Sequence, residues 1–165
     1  MSMILALFAL AIAADWTPLA GTWVHSGVQA ELTLRDQAVA RAADEFNLLI
    51  RGVAEPRLQK SAPRPSGYFI HVDGDQITIG IAGKTPRTST LGAPPSQFVP
   101  DGDDKPVKIQ RLEQGESLVS IVIGENGTLS SSFRRVKDKL VVSYRVTSDK
   151  LDDPVTYRLT FVPAS

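Results

Sequence analysis

A three-to-four spacing of apolar residues distinguishes one early segment from the rest of the chain. Between residues 34 and 53 the apolar positions form one helical stripe, and charged residues occupy the opposite side. Thr33 is the predicted N-cap, because its hydroxyl can accept a hydrogen bond from the first turn. Gly52 is predicted to end or bend the helix, with a shorter turn continuing to about Leu58. We therefore expect an amphipathic helical stretch that covers an apolar surface.

Beyond Pro65 the apolar residues recur at every second position, which is typical of β-strands. The residues Asp73, Gly74 and Asp75 form a tight-turn sequence between two such runs and predict a hairpin. The predicted strands lie near residues 21–25, 68–72, 77–81, 85–90, 107–112, 117–123, 128–136, 140–147 and 155–162. Short strands at this spacing predict a mainly β protein, an up-and-down antiparallel β-barrel of eight to ten strands with one helical stretch after the first strand.

The segment 85–106 interrupts this regular pattern, because it holds five prolines. Proline cannot donate a backbone hydrogen bond to a neighbouring strand. We expect either an irregular loop or a weakly paired strand here, and this is where the barrel is predicted to open.

Composition narrows the class of protein. The 165 residues suit one domain, and 18 basic residues balance 18 acidic ones. A neutral chain has no long-range field to attract phosphates, so nucleic-acid binding is not expected. The absence of cysteine excludes disulfides, thiol nucleophiles and thiolate metal sites.

The first fourteen residues read as an export signal. Residues 4–13 are apolar, and Ala11, Ile12 and Ala13 have the small-x-small form that precedes signal-peptide cleavage. The alternative is an N-terminal helix packed on the domain. We expect residues 1–14 to be a signal peptide and residues 15–165 to be a single lipocalin-like domain, secreted or periplasmic and without membrane insertion in its mature form.

The triplet Gly21, Thr22 and Trp23 opens the first predicted strand. Glycine permits close backbone approach, and a large aromatic side chain can plug the closed end of a barrel. On these residues, and on the strand order that follows, the chain resembles the calycin superfamily of lipocalins, fatty-acid-binding proteins and avidins. That resemblance implies a ligand-holding barrel, with Gly21 and Trp23 as barrel-closing residues.

The last two predicted strands carry the candidate ligand contacts. Each strand alternates an apolar face with a polar face, and Arg145 and Arg158 lie on the polar faces. Two interpretations stay open: both arginines are solvated, or both point into the cavity and bind an anionic head group.

Resemblance to fatty-acid-binding proteins implies a carboxylate site at Arg158, without the tyrosine of their Arg-x-Tyr motif. Resemblance to lipocalins implies instead that Arg158 packs against Trp23. The predicted ligand-binding residues are Phe46, Leu49, Tyr144, Arg145, Tyr157 and Arg158.

Signatures of enzymes and cofactors are not found in the sequence. There is no nucleophile elbow, zinc-protease helix or phosphate-binding glycine loop, and His25 and His71 are the two histidines. A haem-binding barrel of the nitrobindin type needs a histidine near the C-terminus, so no cofactor is expected, and no metal site is predicted. The sequence favours an exported, non-enzymatic barrel for a small apolar or amphipathic ligand. The alternative is a periplasmic protein-interaction module or inhibitor whose barrel is filled by side chains.

Overall fold

The computed structural model describes residues 14–165, except for the side chain of Leu49. Residues 1–13, which carry most of the predicted signal peptide, lie outside the described residues.

Ten strands, two α-helices and one 3₁₀ turn make up the described chain. In chain order they are a 3₁₀ turn Thr17–Leu19, β1 Gly21–His25, α1 Gln29–Asp44, α2 Leu48–Ser61, β2 Gly67–Asp73, β3 Gln76–Ile81, β4 Arg87–Thr90, β5 Ser96–Phe98, β6 Val107–Gln114, β7 Ser117–Gly124, β8 Gly127–Val136, β9 Lys139–Thr147 and β10 Val155–Pro163.

The strands form one antiparallel sheet in the order β4-β3-β2-β1-β10-β9-β8-β7-β6-β5. Consecutive strands pair except β4 and β5, and the pairing of β1 with β10 curls the sheet into a nearly closed barrel. β4 and β5 lie at the two ends of this order, so the gap falls inside residues 85–106. The predicted barrel, its strand number and the position of its opening are confirmed. The short strand β5 was not predicted.

The helical region differs from the prediction at both ends. α1 begins at Gln29 rather than near Leu34, and Thr33 lies inside it, where its hydroxyl donates to the carbonyl of Gln29 at 3.1 Å. The predicted N-cap is therefore wrong. The break falls at residues 45–47, and α2 then runs through Gly52 and Pro56 to Ser61. The first turn of α1 has no capping side chain, so its position depends on tertiary contacts with the barrel.

Period-two alternation places the core inside the barrel. The apolar faces predicted for the last two strands are buried, and they pack with β2, β3 and the inner side of α1. β9 and β10 thereby present their polar faces outward, as expected for a barrel with one buried surface.

Candidate ligand-binding barrel interior

Both tryptophans of the chain are buried near the start of β1. Trp23 is 3% exposed, and its indole N–H donates to the carbonyl of Leu19 at 2.9 Å. Trp16 is also buried and donates to Glu113 on β6 at 2.6 Å. Gly21 adopts a φ of 138°, which favours glycine, and starts β1 beside the indole of Trp23. The predicted burial of Trp23 is confirmed, and the barrel-closing role of Gly21 and Trp23 stays a prediction.

The basic residue that lies over Trp23 is Arg135 on β8. Its guanidinium carbon lies 5.9 Å from the centre of the indole ring, and its Nη1 donates to the carbonyl of Pro18 at 2.9 Å. Arg158 does not fill the role implied by resemblance to lipocalins. The reason is its strand face, which is exposed.

Helix α1 packs against β10, and α2 packs against α1. Glu31 in the first turn of α1 accepts hydrogen bonds from the backbone N–H of Thr160 at 2.7 Å and from its hydroxyl at 2.6 Å. This anchors α1 to β10 just beyond the point where β1 ends. The anionic carboxylate also suits the positive end of the helix dipole.

Arg35 joins the two helices. This buried side chain on α1 donates from Nη2 to the carbonyl of Gln59 at 2.9 Å and from Nε to that of Ala62 at 3.2 Å. Both carbonyls lie at the C-terminal end of α2, where backbone acceptors have no intrahelical partner and a cation is favourable. The cap of α1 and α2 is therefore held by polar contacts as well as by apolar packing.

Helix α2 buries much less than α1. None of its described side chains is fully buried, and Leu48 is 87% exposed, with Ile50 and Val53 also exposed. Its far end reaches the loop before β6 through an ion pair between Lys60 and Asp103 at 2.7 Å. An exposed pair of this kind contributes little. Helix α2 is thus the weakly held part of the cap.

A row of polar side chains crosses the inner wall of the barrel. Its members lie directly opposite one another on five neighbouring strands and are all buried, and they are Arg111, Ser120, Ser131, Tyr144 and Tyr157. We call this set the polar row. The inward positions on either side of it are apolar on β7, β8, β9 and β10. The polar row therefore concentrates the hydrogen-bonding groups of the wall at one level.

Three tyrosines occupy one side of the interior. Tyr68 on β2 and Tyr144 on β9 share a hydrogen bond between their hydroxyls at 2.8 Å, although β1 and β10 separate their strands. Tyr144 stacks on Tyr157 with ring centres 4.7 Å apart, and Tyr157 donates to the carbonyl of Pro63 at 2.7 Å. Burial raises the pKa of all three phenols above the ordinary value, because the charged form loses its hydration.

Arg111 lies at the opposite end of the polar row, beside the gap in the barrel. It is 1% exposed, and it donates from Nη1 to the carbonyl of Ile77 and from Nη2 to that of Arg87 at 2.8 Å. These bonds connect β6 to β3 and β4 across the opening of the sheet. Burial lowers the pKa of Arg111 to about 10, because a cation is disfavoured away from water.

The structure separates the predicted ligand-binding residues into three groups. Tyr144 and Tyr157 are buried in the interior, whereas Arg145 and Arg158 are exposed on the outer face of β9 and β10. The interpretation that these arginines point into a cavity is wrong, because strand alternation places them opposite the buried tyrosines. Phe46 is half-buried at the link between the helices, and the side chain of Leu49 lies outside the described residues.

Two concavities lie on the outer surface. One, of about 590 Å³, runs across β8, β9 and β10 and is lined by Arg134, Lys139 and Arg158 among others. The second, of about 440 Å³, lies over β1, β2 and β3, where the apolar side chains of Val24, Phe69 and Ile81 line it. Phe69 is 46% exposed there.

Sequence reasoning missed Arg111, Arg35 and Glu31. A signal existed for Arg111, since it shares a period-two face with Val107 and Ile109 on β6. No comparable local signal identifies Arg35 or Glu31, because the contacts that join them to α2 and β10 connect positions 24 or more apart in the chain.

Neither a metal-binding cluster nor a membrane-spanning helix is found among residues 14–165. Within residues 14–165 no cluster of histidine, aspartate and glutamate has the geometry to hold a metal ion. The helices in this part of the chain are too short or too polar to span a bilayer.

Comparison with solved structures identifies similar folds at low sequence identity. A secretary abundant heat soluble protein from Ramazzottius varieornatus is 15% identical, with a TM-score of 0.58 over 92% of this chain and 100% of that one. Apo lipid binding protein 8 from Caenorhabditis elegans is 16% identical, with a TM-score of 0.56 over 92% and 99% of the two chains. The REP1-NXSQ fatty acid transporter is 18% identical, with a TM-score of 0.53 over 89% and 96%.

Sequence-based comparison gives no match. No family model matches the chain, and no curated protein does so either. Likeness at these identities shows the fold alone. The chain therefore has the calycin-type barrel fold.

Proposed function

We propose that the protein binds a small apolar or amphipathic molecule inside its barrel, beneath the cap of α1 and α2. The observation that carries this proposal is the unequal burial of Trp23 and of helix α2. Trp23 is 3% exposed and its indole N–H donates to the carbonyl of Leu19, whereas no described side chain of α2 is fully buried. A weakly held helix over an apolar interior is suited to opening for ligand entry.

Two further observations support this reading. The inner wall is mainly apolar, with its polar groups in the polar row and at a few other positions such as Tyr68, and small-molecule sites combine mainly apolar walls with a few placed polar groups. Solved structures with a similar fold include a fatty acid transporter and a lipid binding protein.

The test uses N-phenyl-1-naphthylamine, a neutral probe that fluoresces in apolar surroundings. We expect saturable 1:1 binding to the wild-type protein. Phe46→Ser should raise the association and dissociation rates measured by stopped flow, because it removes an apolar side chain from the cap. The strand signal in circular dichroism should be unchanged.

Phe69→Ser is the matched control, because Phe69 is an exposed phenylalanine on the outer wall. It should leave both rates as they are. The proposal would be overturned if the wild-type protein bound neither the probe nor any neutral alcohol of eight to sixteen carbons, tested by competition with the probe.

The outer apolar concavity favours a second candidate function, protein binding over β1, β2 and β3. Single exposed apolar residues are ordinary, but Phe69 lies with Val24 and Ile81 along one groove. In that case Phe69→Ser, rather than Phe46→Ser, should remove probe binding.

We also propose that the mature protein is exported. The support is the apolar run of residues 4–13 with its small-x-small end. N-terminal sequencing of protein from the native host should find Ala14 or Asp15 first, and recovery of Met1 from a cytoplasmic fraction would contradict it.

A further inference from the structure

Arg111 carries a positive charge that nothing in the described chain neutralises. Its hydrogen-bond partners are two backbone carbonyls, and no carboxylate among residues 14–165 forms an ion pair with it. Its Nε is buried and has no hydrogen-bond partner among the same residues. A buried cation and a buried unpaired donor are each unfavourable in a finished core.

A second unpaired polar atom lies on the same seam. The hydroxyl of Ser89 on β4 is buried and also lacks a partner among the described residues. Ser89 lies directly opposite Ile77, whose carbonyl accepts a hydrogen bond from Arg111. The buried side chain of Ile77 places this position on the inner face of the barrel. Arg111 and Ser89 therefore both adjoin Ile77, beside the gap between β4 and β5.

The chemistry of these two groups selects the kind of ligand atom that they can bind. A guanidinium has five N–H donors and no acceptor, and it matches a carboxylate or phosphate in charge and shape. A serine hydroxyl adds one more donor. An apolar molecule supplies nothing that satisfies either group, whereas an anionic oxygen satisfies both.

We propose that Arg111 and Ser89 form an anion site that holds the acidic head group of an amphiphilic ligand, a carboxylate or a phosphate monoester. This inference rests on the proposed function, since it gives one end of the interior ligand a chemical identity. The exposed Arg145 and Arg158 take no part in it. The apolar side chains of the wall accommodate the tail.

The experiment compares three ten-carbon probes at pH 7.4, namely decanoate, decyl phosphate and the neutral 1-decanol. Isothermal titration should show at least one of the two anions binding about tenfold tighter than 1-decanol, the difference expected for one charge-assisted contact in a buried site. Arg111→Met should remove that preference and leave 1-decanol within about threefold of its wild-type affinity. Arg145→Met, which removes an exposed arginine from the outer face of β9, should change neither value.

Each outcome has a separate meaning. Equal binding of all three probes by the wild-type protein overturns the anion site and leaves the proposed function standing. Binding of none of them overturns the proposed function itself. Retention of the anion preference in Arg111→Met also overturns the site.

If Arg111→Met does not fold, Ser89→Ala supplies the test, because it removes one small hydroxyl. It should weaken the preferred anion about threefold and leave 1-decanol unchanged. An unchanged anion affinity in Ser89→Ala overturns the site.

Discussion

Gly67 shows how one residue can set the distance between two strands. It begins β2 directly opposite Val24 of β1. A Cβ at this position would lie 2.5 Å from the backbone carbonyl oxygen of Trp23, which is well inside van der Waals contact. Backbone atoms cannot move aside as a flexible side chain can. The close approach of β1 and β2 beside the buried indole therefore requires glycine.

We expect Gly67→Ala to lower the free energy of unfolding by about 1–3 kcal/mol, as for overpacking in a tight core. Gly52→Ala is the matched control, because Gly52 lies inside α2 with open space around the position of its Cβ. That substitution should raise stability by about 0.5–1 kcal/mol through helix propensity. Urea denaturation measures the free energy of unfolding of both variants. Equal changes in the two variants would show that the close approach of β1 and β2 does not require glycine at position 67.

At the scale of elements, α1 depends on the barrel for its start. Val28 precedes it without a side-chain cap, and the first turn is instead fixed by Glu31 on Thr160. A period-3.6 pattern finds the buried stripe of Val39, Ala42 and Ala43, which is why the helix was predictable. Its first residue was not, because the contact that decides it joins positions 129 apart.

Glu31→Ala should lower the free energy of unfolding by about 1–3 kcal/mol, since it leaves the partly buried N–H and hydroxyl of Thr160 without an acceptor. Amide hydrogen exchange should accelerate at Thr160 and in the first turn of α1, but not in β7 or β8. Glu116→Ala is the control, because it removes an exposed carboxylate paired with Arg134. It should change stability by less than about 0.5 kcal/mol. Matching effects of the two variants would contradict an anchoring role for Glu31.

For the whole molecule, the sequence predicts the barrel, but it predicts only some of the side chains that line the interior. Alternation on β9 and β10 identifies inward Tyr144 and Tyr157, because period two is a local property. The polar row arises from the register of five strands, which alternation along each strand does not specify. Arg111 belongs to the interior for the same reason.

The buried phenols make the whole fold sensitive to alkali. The chain has three tyrosines, and all are the buried ones, Tyr68, Tyr144 and Tyr157. Their raised native pKa values mean that the unfolded chain loses these protons first, near pH 10. Stability is therefore fully present below about pH 10 and falls as the pH rises above it. Deprotonation of Arg111 has the opposite effect on the pH dependence of stability, because its native pKa is lowered to about 10. This one arginine offsets the effect of one of the three tyrosines.

We expect the free energy of unfolding to fall by roughly 3 kcal/mol per pH unit above about pH 10, the net effect of about two groups at ~1.4 kcal/mol each. Since a domain of this size has about 5–15 kcal/mol of stability, it should unfold within a few pH units of that onset. Tyrosinate absorbance at 295 nm should then appear only together with the loss of the strand signal in circular dichroism. Tyr157→Phe should make the pH dependence shallower by one group, because it removes one of the three phenols. The contrary result is a rise in absorbance at 295 nm, centred near pH 10, in a protein that keeps its native circular dichroism. It would show that a tyrosine is accessible to solvent and would contradict the burial of Tyr68 and Tyr144.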